Sequence, residues 1–245
     1  MQLSLNRNPD TVKTTKTCIY NVLSFPFDRH QNLSKKFHYD IDLYPKSHAE
    51  RAVTEAFIVN GFNSAYGAEI SITMPLLVAI KKGTFSAALG LRFASAPLFV
   101  EQYLDKSVDE VLYQTTAEAP RKQIVEVGHL YSSHARFALP LLLSTGISLF
   151  SIGQKTIVFC ATNHVRKLIS GAGIPLVVLC SAEQQKLTDT HEKWGRYYET
   201  TPQVIAISTS DIMRAVVTSN LYLELFRTMS TRIQLLSSQL AMGLS

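Results

Sequence analysis

Cysteine is scarce in this chain and runs of basic residues are missing, and each shortage removes a class of function. Its 245 residues include three cysteines, Cys18, Cys160 and Cys180. No CxxC and no Cys/His metal spacing exists, so neither a disulfide framework nor a structural metal is expected. Cys160 and Cys180 stand inside apolar runs, where a free thiol behaves as a small hydrophobe. The net charge is only +5. Basic pairs such as Lys81-Lys82 and Arg121-Lys122 neither cluster nor alternate with aromatics, so nucleic acid is not an expected partner. A small molecule or an acidic carrier protein suits this charge as well. No charged stretch followed by an apolar core opens the chain, so no secretory signal is expected and the expected location is the cytoplasm. The longest apolar stretch, Phe137 to Phe150, is broken by Pro140 and Gly146. It falls short of the roughly 20 residues that cross a bilayer. No transmembrane segment is expected.

What the chain does have is a substantial core, with 46% hydrophobic and 18% charged residues. Its centre is Ile124-Val125-Glu126-Val127-Gly128-His129-Leu130, a β-branched run that reads as a strand buried on both faces. Alternation along a strand puts Glu126 and Gly128 on one face, Val127 and His129 on the other. A buried carboxylate needs a partner or a proton. Gly128 marks a place where another group approaches the backbone. A helix from about His134 to Leu149 follows at once, and its N-terminus can receive an anion or a carbonyl oxygen. Glu126 is therefore the candidate centre; the competing reading pairs it with a core arginine such as Arg92.

Around this centre the chain alternates. Residues 1 to about 45 read as an extended arm. Ser47-His48-Ala49-Glu50 reads as a capping box opening a helix with Val53, Phe57 and Phe62 on its inner side. Leu76–Ile80 and Phe85–Phe93 form a hairpin turned at Lys82-Gly83. Strands are expected at 155–161, 175–179 and 204–207. A helix between the first two is capped by Thr162 or Asn163 and stopped by Gly171 and Gly173. Ser210-Asp211 caps one long final helix with Ile212, Val216, Phe226, Met229, Ile233, Leu236 and Leu240 inward. That helix is a candidate to cover the sheet, to pair with a second copy as a homodimer, or to touch a membrane surface. The expected class is α/β with a mixed sheet, divided into an arm (1–45), a core domain (46–207) and a C-terminal helix (208–245).

Several blocks then resemble a known family in the right order: Ala65-Tyr66-Gly67-Ala68, Gly90-Leu91-Arg92-Phe93-Ala94, Leu98 to Asp105, Glu126-Val127-Gly128, Phe159 with Ala161-Thr162, and Trp194-Gly195-Arg196-Tyr197-Tyr198-Glu199. They resemble the thermostable haemolysin family over roughly residues 48 to 212. That family usually carries Asn at the position of His129 and Thr at that of Cys160. The order of elements is also similar to the GNAT acyltransferase fold, and distantly to the acyl-homoserine-lactone synthases. The resemblance implies an N-acyltransferase with no tightly bound cofactor, which uses acyl-CoA or an acyl carrier protein as co-substrate. Residues 131–136 contain no glycine, so the usual backbone wrap around a pyrophosphate is not expected; an acyl carrier protein or a contact through Arg136 would avoid that need.

For acyl transfer to a small amine, Glu126 is the expected base, with His129 sharing that role if a local bend brings it round. Backbone amides near Gly128 and Leu130 would face the carbonyl oxygen. Arg92 and Glu101 would hold the acceptor, Trp194 would line its site, and Tyr197 or Tyr198 would protonate the leaving thiolate. Arg136 and Asn163 are the remaining candidate contacts to the donor. The alternative is a membrane-active haemolytic protein without catalysis. An opening between strands 124–130 and 155–161 is the structural sign to look for. A Glu126 sealed against a guanidinium, with no cavity reaching it, would leave only a scaffold.

Overall fold

The computed structural model describes residues 39–115, 120–188 and 192–243. Its strands are β1 (Asp40–Pro45), β2 (Leu76–Lys82), β3 (Thr84–Phe93), β4 (Ile124–Ser132), β5 (Thr156–Ala161), β6 (Val177–Ser181) and β7 (Gln203–Ser208). The helices are α1 (Arg51–Tyr66), α2 (Val108–Thr115), α3 (Ala135–Ser151), α4 (Asn163–Gly171), α5 (Thr209–Thr218) and α6 (Asn220–Met242), with a 3-10 turn at Phe99–Tyr103. The strands form one mixed sheet in the order β1-β2-β3-β4-β5-β7-β6. Every neighbouring pair is antiparallel except β4 and β5. The run at 124–130 thus does stand mid-sheet. The end of the expected arm is edge strand β1; residues 1–38, Cys18 among them, lie outside the described residues.

Alternation assigns the two faces. Val125 and Val127 of β4, Ile157 of β5 and Ile205 and Ile207 of β7 point to a continuous aliphatic layer with α3, α5 and α6. Each such side chain, fully buried, contributes about 1.5–3 kcal/mol. Ile124, Val158, Val204 and Ala206 point the other way, toward α2 and the 3-10 turn. Beside them α1 and the Trp194–Tyr197 segment complete an aromatic-rich layer.

Three local expectations are corrected. No capping box forms at Ser47: α1 starts at Arg51, His48 accepts the Glu50 amide at 3.0 Å, and the Glu50 carboxylate goes to Lys81. Val53 is exposed, and the inner side of α1 is Thr54, Ile58 and Phe62. The final helix is two helices. Ser208 caps α5, and extended Ser219 ends it and caps α6 by accepting the Tyr222 amide. The expected inward residues, Ile212 to Leu240, are all buried nonetheless. They pack within this chain, so the apolar stripe of α6 is already covered.

Candidate active site

β4 and β5 pair at Ile124–Thr156, Val125–Ile157 and Glu126–Val158, and no further. Past Glu126 the strands part, and a cavity of about 200 Å³ opens with Val127 to Leu130 on one wall and Phe159 and Cys160 on the other. That is room for several waters or a small organic group. Aromatic rings close it: Phe62 and Tyr66 from α1, Phe99 and Tyr103 from the 3-10 turn, and Trp194 and Tyr197.

Glu126 reaches this cavity although it is 1% exposed. Its two oxygens accept the backbone amides of Phe99 (3.0 Å) and Val100 (2.7 Å), at the start of the 3-10 turn. Arg92 Nη1 stands 3.7 Å from Oε2. Burial pushes the Glu126 pKa up; the two amides and Arg92 pull against it without cancelling it. The carboxylate is therefore neither sealed nor free. Each oxygen keeps a lone pair for a proton.

His129 is where simple alternation fails. Gly90 opposes Gly128 and Ala88 opposes Tyr131, so His129 and Leu130 of β4 share one partner residue of β3. This bulge places His129 at φ 51°. The bend turns its ring to the aromatic side, edge-on to Phe62 at 6.3 Å. Nδ1 is buried and has no hydrogen-bond partner. Burial, then the charges of Arg92 and Arg51, lower its pKa to about 4, so the ring is neutral at pH 7. The group that approaches Gly128 is Met74: a Cβ on Gly128 would overlap its Cε, and one on Gly90 its Cγ.

Trp194 and Tyr197 both line the cavity. Trp194 Nε1 is buried without a partner. The Tyr197 hydroxyl makes long contacts to the Cys160 carbonyl (3.4 Å) and Sγ (3.5 Å). Burial raises the Tyr197 pKa well above its ordinary value and the Cys160 pKa to about 12, so both stay protonated.

Other expected site residues lie elsewhere. Glu101 is outside the cavity wall. Its carboxylate takes Arg121 at 2.6 and 3.0 Å and the amides of Leu98 and Val108. Burial opposes ionisation there, yet Arg121 and these amides hold its pKa down at about 2. It ties the 3-10 turn to its surroundings. Arg92 is likewise not in the wall; beyond Glu126 it donates to the Thr73 carbonyl and hydroxyl. Arg136 is exposed over the Phe137 ring, and Asn163 is exposed at the first position of α4. Thr162, not Asn163, caps that helix. Gly128 and Leu130 are in the wall as expected.

Two groups went unforeseen. Arg51 is buried and binds the carbonyls of Tyr44, Met74 and Pro75, which fixes Met74 over the strands. Glu192, in the wall, accepts the amide and hydroxyl of Ser71. Nothing in the spacing of these residues signalled them; they are long-range contacts. Among the described residues no group of three or more His, Cys, Asp or Glu could hold a metal, and no helix is long and apolar enough to cross a membrane.

A mixed sheet whose central parallel pair parts over a cavity is a GNAT-like fold, and solved structures share it. The AHL synthase LasI is similar at 11% identity and TM-score 0.50, over 70% of this chain and 90% of that one. TofI in an apo form is similar at 11% identity and TM-score 0.51, over 75% of this chain and 99% of that one. The CoA-dependent acyl-homoserine lactone synthase BjaI, solved with SAM and isopentyl-CoA, is similar at 9% identity and TM-score 0.50, over 74% and 89%. Nothing among the curated proteins matches the sequence. The chain belongs to the thermostable hemolysin family, whose sequence profile matches residues 44–213.

Proposed function

We propose that this protein is an N-acyltransferase that moves an acyl group from a thioester to a small amine. The observation that carries the reading is the parting of β4 and β5 just past Glu126, which leaves a largely apolar cavity with one buried carboxylate on its wall. The amine nitrogen attacks the thioester carbonyl carbon, the C–S bond breaks, and nitrogen loses a proton. Glu126, made more basic by burial, takes that proton, and the neutral His129 ring orients the amine. Backbone amides at Gly128 and Leu130 are the candidate donors to the developing oxyanion. Tyr197 is the candidate donor to the departing thiolate, since its contacts to Cys160 are weak enough to exchange. Cys160, held as a thiol, is a poor nucleophile, which favours direct transfer over an acyl-enzyme.

The donor is acyl-CoA or an acyl carrier protein thioester. α3 and α4 both begin at the carboxyl ends of the parted strands, where ligands bind in open α/β sheets. Arg136 and Asn163, exposed there, are candidate contacts to the donor's phosphates. The turn at 132–134 has no glycine, and the hydroxyls of Ser132 and Ser133 are bound to the His134 and Ser86 carbonyls. That supports side-chain contact to the donor over a backbone wrap. Such thioesters are cytoplasmic, which is the location this reading implies.

The test is incubation of the pure protein with acyl-CoA or acyl-carrier-protein thioesters and a pool of amines, followed by assay of free thiol and mass spectrometry of amides. Amine-dependent thiol release is expected. No release from any thioester, with lysis of red cells by the pure protein, would replace this reading by a membrane-active one.

A further inference from the structure

The wall of this cavity is one-sided in charge. Among its described residues are two carboxylates, Glu126 and Glu192, and no lysine or arginine. Arg92 is engaged with Glu126 and Thr73 and lies outside that wall. The neutral His129 adds no positive charge. The remaining surface is dominated by rings that touch one another. Tyr66 meets Tyr197 at 5.4 Å, Trp194 meets Tyr197 at 5.4 Å, and Phe99 meets Trp194 at 6.0 Å. Ring faces carry partial negative charge and attract cations, tryptophan most strongly. A second carboxylate in the acceptor would lie against this lining without a cation to meet it, and its desolvation would go uncompensated.

We propose that the acceptor is a small ammonium ion with no carboxylate of its own, gathered by the Tyr66, Trp194 and Tyr197 rings and by Glu192. This rests on the acyl-transfer reading of the same site and names the acceptor's class: an alkylamine or amino alcohol, not a free amino acid. Reaction of the ammonium releases two protons from nitrogen, one through Glu126 to solvent and one to the departing thiolate. The choice is made by the cavity before any bond changes, so binding alone reports it.

Trp194 is the chain's single tryptophan, so its fluorescence reads ligand entry directly. Butylammonium, β-alanine and butanol are titrated into the full-length protein without any thioester. Butylammonium is expected to bind at least about tenfold tighter than either of the others. Glu192→Gln, at a partly exposed position, keeps an oxygen that can accept from Ser71; with its fold checked by thermal melt, it is expected to weaken butylammonium about threefold or more and to leave butanol unchanged. Equal affinity for β-alanine, or a Glu192→Gln protein that binds butylammonium as the parent does, overturns the proposal. The two readings fail separately. Thiol release with amino acids as the preferred acceptors keeps the acyltransferase and sinks the ammonium cage. Ammonium-selective quenching with no thiol release from any thioester does the reverse.

Discussion

The two faces of the sheet are built from the same strands to different ends. The face under α3, α5 and α6 is one mostly aliphatic cluster. The face under α1 and the 3-10 turn divides into two smaller clusters, and most of the rings that close the cavity lie on that side, while Val127 and Phe159 reach it from the other. It also holds Glu126, His129, Cys160 and the unpartnered Trp194 Nε1. The side under α3, α5 and α6 gains free energy from its many apolar contacts, although it too buries hydroxyls, Ser144 and Thr145 of α3 among them. On the other side polar groups line a cavity, and those left unmet there give up some of that gain while staying available for a ligand. Stability is concentrated on one face and chemistry on the other, and substitutions should separate the two.

The largest effect is expected from Glu126→Gln on the chemical face. Turnover should fall by about 10²–10⁴-fold, the usual contribution of a positioned base. Stability should change by less than about 2 kcal/mol, because two terms oppose. The glutamine carbonyl accepts only one of the Phe99 and Val100 amides, while the cost of burying a charge disappears. Turnover of the parent should rise with pH as Glu126 loses its proton, with the midpoint above an ordinary glutamate because burial raises its pKa. Full turnover in Glu126→Gln, measured by thiol release, would remove Glu126 from the mechanism.

Leu141→Ala is the mirror experiment. Leu141, on α3, is fully buried in the aliphatic layer. Its truncation should cost about 2–5 kcal/mol in urea unfolding. Turnover per folded molecule should stay within about twofold, because Leu141 is not in the cavity wall. A turnover loss comparable to that of Glu126→Gln would show that the two faces are coupled.

Much of this architecture was legible along the chain. Strands β4, β5 and β7 follow from β-branched runs, and the hairpin β2–β3 from Lys82-Gly83, because these are local preferences. The family and the fold were readable from Trp194-Gly195-Arg196-Tyr197-Tyr198-Glu199 and the blocks before it. The site was half legible. Glu126 stood out as a carboxylate in an apolar strand, but its amide partners Phe99 and Val100 are more than twenty residues away and carry no local mark. Glu101 was expected to hold the acceptor, and only the position of Arg121 shows that its carboxylate is occupied. The break at Ser219 was missed because the apolar spacing continues across it. His129 was misplaced because alternation assumes an unbroken strand. Yet the asparagine usual in the family at that position carried the clue, since Asn, Asp and His tolerate positive φ better than other side chains.

His129 offers a smaller and pH-dependent test of the contrast. Its pKa falls from 6.5 to about 4 in the folded chain. A lowered folded pKa means that the unfolded chain binds the proton first. Stability from this group is fully present above pH 6.5 and is lost as pH falls toward 4. The loss amounts to about 3 kcal/mol at the acid end. His129→Asn keeps a residue that suits the bulge and removes the titration, so its urea midpoint should lack this component below pH 6.5. Identical pH profiles for the two proteins would show that the ring is not held in an apolar setting. Aliphatic residues of the other face, such as Leu141, do not titrate, and their substitution should leave that profile untouched.

The smallest effect is expected where the aromatic wall is tied to the rest of the fold. Lys193 and Glu69 form an ion pair at 2.9 Å with both side chains largely exposed. The same two residues exchange backbone hydrogen bonds of 2.7 and 3.2 Å. An exposed pair is worth little, so Lys193→Ala should shift stability by less than about 1 kcal/mol and leave Trp194 fluorescence unchanged. Gly195, two residues on, should behave otherwise. It sits at φ 52°, and a Cβ there would overlap the Tyr66 carbonyl oxygen, a backbone atom that cannot step aside. Gly195→Ala should therefore displace Trp194 from the wall, seen as a red-shifted emission, while Lys193→Ala does not. If Lys193→Ala alone moved the emission, charge pairing would be holding the wall in place; the geometry assigns that role to the backbone bridge and to the close approach at Gly195.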